Sequence, residues 1–80
     1  MFIVYILQST KTKRFYTGHT NHLKRRFSEH NNGHSSSTKG GIPWIIIWMQ
    51  ECSSRNEATR LENKIKARGA KRFLQDLEKD

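Results

Sequence analysis

The sequence contains one cysteine, Cys52, and few acids: seven Asp and Glu stand against fifteen Lys and Arg in 80 residues. A lone cysteine excludes an intramolecular disulfide and suits a reducing compartment, and Cys52 is expected as a small residue at a strand end. The shortage of acids leaves a formal charge of +8 and a pI near 10.2. That balance points to a polyanionic partner, nucleic acid ahead of an anionic membrane surface, against the bland reading that small proteins are often basic for solubility. No apolar run is long enough to span a bilayer. The apolar start is too short for a secretory signal and has no basic residues before it, so the expected location is the cytoplasm. There is no P-loop, no dinucleotide fingerprint and no Cys-x-x-Cys. His19, His22, His30 and His34 lack the thiolates or the helical His-x-x-x-His pair that a zinc site uses. Repeats and linkers are missing too, so residues 1–80 read as one domain. A chain this short buries only about 60–65% of its unfolded surface and has no room for a deep cavity.

What is present is organised around the N-terminus. Phe2-Ile3-Val4-Tyr5-Ile6-Leu7 is an unbroken β-branched and aromatic run, the pattern of a strand covered on both faces, which places it in the middle of its sheet. A second strand carries Tyr16-Thr17-Gly18. The segment between them, Ser9 to Lys13, has no glycine to supply positive φ, so a loop of about four residues is expected rather than a tight primed turn. An even loop sets Tyr5 opposite Tyr16 with both phenols on one face; an odd loop or a bulge changes the relation.

Asn21 is a candidate N-cap for a helix from about His22 to Asn31, stopped by Asn31-Asn32-Gly33. Leu23, Arg26, Phe27 and His30 fall on one stripe of it, while Lys24, Ser28 and Glu29 point away. A guanidinium beside core residues either snorkels or pairs with an acid, or it grips a phosphate with its planar donor fork. His34 to Pro43 is polar and glycine-rich and reads as an irregular surface loop. It either connects, or lays hydroxyls, amides and Lys39 along a phosphate backbone. Trp44 to Met49 is a third strand, apolar on both faces, whose two tryptophans are expected in the core. Ser54 and Glu57 form a capping box for a helix to about Arg68, ended by Gly69. Ala58, Leu61 and Ile65 make its apolar stripe, and Glu62 occupies the fourth place. A carboxylate turned toward a core costs several kcal/mol unless protonated, paired or metal-bound. A salt bridge at the core's edge, with Arg26 or another cation, and a metal site are the alternatives. Ala70 to about Leu77 should form a last short helix with Phe73, Leu74 and Leu77 inward and Lys71 and Arg72 outward.

Taken together, Ile3-Val4-Tyr5, ten intervening residues and Tyr16-Thr17-Gly18 resemble the signature of the GIY-YIG endonuclease superfamily in its small stand-alone form. Ile3 stands where the family's first motif opens with glycine, and Thr17 replaces the isoleucine of the second. Thr20 to Phe27 resembles the family's arginine-bearing helix, and Glu57-Ala58 with Glu62 and Ile65-Lys66 its glutamate-bearing helix. The resemblance implies an α+β fold with a central three-stranded antiparallel sheet, order 2-1-3, flanked by three helices. It also implies a metal-dependent endonuclease acting on nucleic acid, DNA foremost. By matched position, Tyr5 would be the base or would orient the attacking water, with Tyr16 beside it and His30 moving its proton. Arg26 would hold the scissile phosphate, and Glu62 would bind one Mg²⁺, with Mn²⁺ as a substitute. Arg25, Arg26 and Lys39 are the nucleic-acid contacts expected, and Tyr5, Tyr16, Arg26 and Glu62 should meet on one concave surface. The alternative is a binding module of the same fold without useful turnover.

Overall fold

The computed structural model describes residues 1–79. Strands β1 (Phe2–Ser9), β2 (Phe15–Thr20) and β3 (Trp44–Cys52) form an antiparallel sheet in the order β2-β1-β3. Helices α1 (Leu23–Asn31), α2 (Arg55–Arg68) and α3 (Ala70–Leu77) flank it. The α+β class and strand order expected from the sequence are those of the structure.

β1 is central because it can be covered on both sides. Val4, Ile6 and Leu7 have no exposed surface and Tyr5 retains 1%, so a polar alternation would have buried unpaired groups. The pleat divides the strand between two cores. Val4 and Ile6 pack with Ala58 and Ile65 of α2 and with Phe73 and Leu74 of α3; Tyr5 and Leu7 pack on the other face with Tyr16, Trp44 and the α1 residues Leu23 and Phe27. α1 thus covers one face of the sheet, and α2 with α3 the other.

The hairpin register pairs Tyr5 with Gly18 and Leu7 with Tyr16. The phenols share a face, as an even loop requires, but they are diagonal neighbours rather than opposite. Lacking glycine, the turn places Lys13 at φ 67°. Buried Ser9 knits it to the rest: its hydroxyl accepts the Lys11 and Thr12 amides at 3.1 and 2.9 Å and donates to the Gly41 carbonyl at 2.6 Å.

β3 departs from a regular strand. Trp48 lies opposite Ile6 and Ile46 opposite Leu7, leaving Ile47 as an extra, bulged residue. Tryptophans four apart would share a face in a regular strand; the bulge sends Trp44 to the α1 side and Trp48 to the α3 side, where it meets Phe73 edge-on at 5.0 Å. As an edge strand β3 is incompletely covered, and Ile45 and Met49 stay 48% and 59% exposed.

Several boundaries differ from the sequence reading. α1 starts at Leu23 with His22 at the N-cap position and no side-chain cap; Asn21 is one residue too early, and Thr20 Oγ1 accepts the His22 amide at 3.1 Å instead. The loop after α1 is not wholly irregular, since Lys39–Gly41 forms a 3-10 turn. Ser54 caps α2 by accepting the Glu57 amide at 3.1 Å, but the Glu57 carboxylate takes the Ser53 hydroxyl at 2.7 Å, so only half of the capping box forms. Leu77, expected inside, ends α3 beyond the core and is 51% exposed.

Candidate active site

On the α1 face, the side chains of Tyr5, Tyr16, Arg26 and His30 come together. Gly18 makes this possible. It sits across from Tyr5, and a Cβ there would lie 2.8 Å from the Tyr5 hydroxyl and 3.2 Å from the Tyr16 ring. Only a residue without a side chain lets the Tyr5 ring lie over the edge strand. The rings of Tyr5 and Tyr16 are 6.4 Å apart, and those of Tyr16 and His30 4.8 Å.

Behind the tyrosines runs a buried chain of hydrogen bonds. The Tyr5 hydroxyl is 3.0 Å from Nε2 of His30, and Nδ1 of His30 is 2.8 Å from Oγ1 of Thr38. Thr38 Oγ1 has the Ser35 carbonyl at 3.4 Å as an acceptor. Assigning the protons by that network puts a hydrogen on Nδ1, donating to Thr38, and leaves Nε2 to accept from the phenol. The Trp44 indole donates to the Thr38 carbonyl at 2.7 Å and locks the threonine in place. His30 is fully buried and Thr38 1% exposed.

The electrostatics follow from this burial. Burial and the neighbouring Tyr16 raise the Tyr5 phenol to about 12, against the lowering influence of Arg26. Desolvation outweighs the single guanidinium. Burial and then Arg26 depress His30 to about 4. At neutral pH both groups are uncharged. Arg26 is held by Glu29, whose Oε1 accepts from Nη1 at 3.2 Å. Glu29 therefore does not simply point away: it reaches back to the guanidinium. Burial works against the guanidinium's charge, yet Glu29 and the two tyrosines more than offset it. With Nη1 directed at Glu29, Arg26 acts on the Tyr5 phenol chiefly through its charge.

Glu62 stands apart. It belongs to α2, in the opposite layer, and its Oε1 accepts from Nδ1 of His19 while its Oε2 meets Nζ of Lys66, both at 2.6 Å. The ion pair is therefore with Lys66 and His19, not Arg26, and Glu62 reaches the edge strand from the α2 layer. Tyr5, Tyr16 and Arg26 lie above the edge strand and Glu62 lies below it. The alternation along β2 causes this: Tyr16 and Gly18 face α1, so His19 faces α2. The separation is small enough for the Glu62 charge to add to the raising of Tyr5. Burial pushes the Glu62 carboxyl up, but Lys66 and His19 outweigh it and hold it below the usual range, hence ionised.

Among the described residues no group of three or more His, Cys, Asp or Glu could cage a metal ion. One ionised, partly exposed carboxylate is nevertheless the donor set that magnesium uses when substrate phosphate and water complete its shell. Lys66, whose side chain is 56% exposed, can leave for solvent at little cost, because exposed ion pairs contribute only about 0–1 kcal/mol. The residues fit a single-carboxylate site. Of the other sequence-derived candidates, Arg25 is exposed on α1 and Lys39 is exposed in the turn beside Thr38. Thr38, Glu29 and His19 were missed. The Arg26–Glu29 spacing and the strand alternation could have found the last two, but no pattern marks Thr38.

Comparison with known proteins places the chain in a nuclease-like class. The GIY-YIG catalytic domain matches residues 1–75, and the chain belongs to that family. It is 33% identical to a UPF0213 protein of Staphylococcus haemolyticus over 76 residues, 94% of this chain and 92% of that one. A UPF0213 protein of Photorhabdus laumondii is 33% identical over 66 residues, 81% of this chain but only 62% of the relative's own length. The solution structure of a UPF0213 protein from Bacillus halodurans superposes with a TM-score of 0.60 at 29% identity, covering 98% of this chain and 84% of that one.

Proposed function

We propose that the protein is a divalent-metal-dependent endonuclease that hydrolyses phosphodiester bonds in DNA. The observation that supports this most is the buried Tyr5–His30–Thr38 chain opening beside Arg26. A phenolate at Tyr5 would be populated at only about 10⁻⁵ at pH 7 given its raised pKa, so Tyr5 does not work as a preformed base. Instead its oxygen receives a proton from the attacking water while its own proton passes to Nε2 of His30, and Thr38 holds the imidazole in the accepting tautomer. Arg26 binds the scissile phosphate with the donors that Glu29 does not occupy. Glu62 would hold the ion, which when bound supplies charge neutralisation at the departing oxygen. His19 keeps the Glu62 carboxylate oriented toward the edge strand.

A second reading, a nucleic-acid-binding module without useful turnover, is favoured by one feature: both Glu62 oxygens are already engaged by His19 and Lys66. Nicking of supercoiled plasmid decides between them. Mg²⁺-dependent nicking that disappears in Glu62→Gln, with binding of the duplex in EDTA equal or tighter, is the result expected of the nuclease. Equal traces of nicking in wild type and Glu62→Gln would leave the binding module.

A further inference from the structure

An open cleft of about 630 Å³ lies on the α2–α3 side, between β2 and the junction of the two helices. One wall is Phe15, Tyr16 and Thr17 of β2; the other carries Lys66, Arg68, Lys71 and Arg72, and among the described residues no acid lines it. Two of the cations are paired with acids. Lys66 meets Glu62 at 2.6 Å, and Arg68 donates to both oxygens of Asp76 at 2.8 and 3.0 Å. Lys71 and Arg72 have no acidic partner among the described residues. They stand in the first turn of α3, where no acid offsets them and where the helix dipole disfavours positive charge. Local folding gains nothing from cations placed there.

We propose that this cleft is a second contact surface for the nucleic-acid backbone, taking phosphates that flank the one held at Arg26. The inference rests on the nuclease reading for the position of the scissile phosphate, but not for the cleft's affinity. Tyr16 joins the two places: its ring packs against Tyr5 and His30 on the α1 side, and its stretch of β2 also lines the cleft. A strand gripped by Arg26 on one side of β2 therefore continues over the edge of that strand, past Tyr16, onto Lys71 and Arg72. Phe15 gives sugars and bases an apolar, aromatic wall, while Lys66 and Arg68 add positive charge beside Lys71 and Arg72.

The test is duplex binding by fluorescence anisotropy across a salt series in EDTA, where no cleavage occurs. Lys71→Gln with Arg72→Gln should lower the slope of log K against log salt by about two units, since each phosphate contact contributes about 0.9. A charge-matched control on α2 outside the cleft, Arg60→Gln with Lys64→Gln, should leave the slope within about half a unit. The exchange Lys71→Arg with Arg72→Lys keeps the charge and should restore the wild-type slope, and thermal melting of each variant verifies folding. Equal losses in the cleft and control pairs would reduce the effect to net charge and overturn the proposal, as would no loss in either. Amide shifts at Gly69 to Arg72 with inorganic phosphate, in a cleft variant that binds duplex like wild type, would make it a small-anion site and also overturn it. Plasmid nicking reports separately on the nuclease reading, which stands or falls independently of the salt slopes.

Discussion

Replacing Thr38 by valine removes one hydroxyl and keeps the branched shape, so it isolates the end of the Tyr5–His30–Thr38 chain. In the native protein Nδ1–H of the fully buried His30 donates to Thr38 Oγ1 at 2.8 Å. Valine leaves that N–H without an acceptor in a dry site, which costs about 1–3 kcal/mol, the penalty of an unsatisfied buried donor. For a domain of this size each kcal/mol lowers Tm by about 4–8 °C, so a fall of roughly 5–20 °C is expected. Thr38→Ser keeps the hydroxyl and should recover most of it. The loss should also have a chemical signature. Without its acceptor the imidazole is free to move its proton to Nε2, where it no longer accepts from Tyr5, and the ¹⁵N shifts of the His30 ring should show the tautomer change. Under the proposed mechanism turnover then drops while duplex affinity holds, because Thr38 is buried and touches no solvent. An unchanged Tm together with unchanged ring-nitrogen shifts in Thr38→Val would refute the hydrogen-bond chain.

Further outcomes follow from the same geometry. His30 is held near 4 in the folded state against 6.5 in the unfolded chain, so the unfolded state binds more protons in between. Stability should be complete above about pH 6.5 and fall toward pH 4, by about 1–3 kcal/mol; denaturant titrations of wild type and His30→Gln across that range would show the acid limb shrinking in the variant. Tyr5 carries the opposite sign: with its phenol raised to about 12, it adds stability below pH 10 that is lost as pH climbs through 12, and ultraviolet titration should lose its late step in Tyr5→Phe. Gly18→Ala would drive a Cβ to 2.8 Å from the Tyr5 hydroxyl, with an overpacking cost of about 1–3 kcal/mol, and should weaken the Tyr5–His30 contact more than any other substitution on β2. Glu62→Gln should reduce stability by only about 1 kcal/mol, since Lys66 can be solvated; a loss of several kcal/mol together with no Mg²⁺ effect on wild-type melting would remove Glu62 as a metal ligand.

The sequence by itself determined the secondary structure and much of the topology, because those depend on local patterns. An unbroken apolar run makes β1 central, the 3.6-residue stripe of Leu23, Arg26, Phe27 and His30 brings Arg26 and His30 to the tyrosine face, and Gly69 ends α2. The parity of the hairpin loop, which puts Tyr5 and Tyr16 on one side, is left open by the sequence and decided by the fold. Only the tertiary structure decided the rest. The two-residue offset that sets Tyr5 over Gly18 is a matter of how the turn closes, with Lys13 at positive φ, and the Ile47 bulge that separates the tryptophans leaves no mark on apolar periodicity. Thr38 lies in a polar loop with no period at all, and its place against His30 is fixed by Trp44 and Asn31 across the loop. Glu62 was legible as a misplaced charge, but which side of the sheet it serves depends on α2 packing against Val4 and Ile6 rather than Tyr5 and Leu7. Such choices depend on packing between segments far apart in the chain, and a local reading of residue types does not contain them.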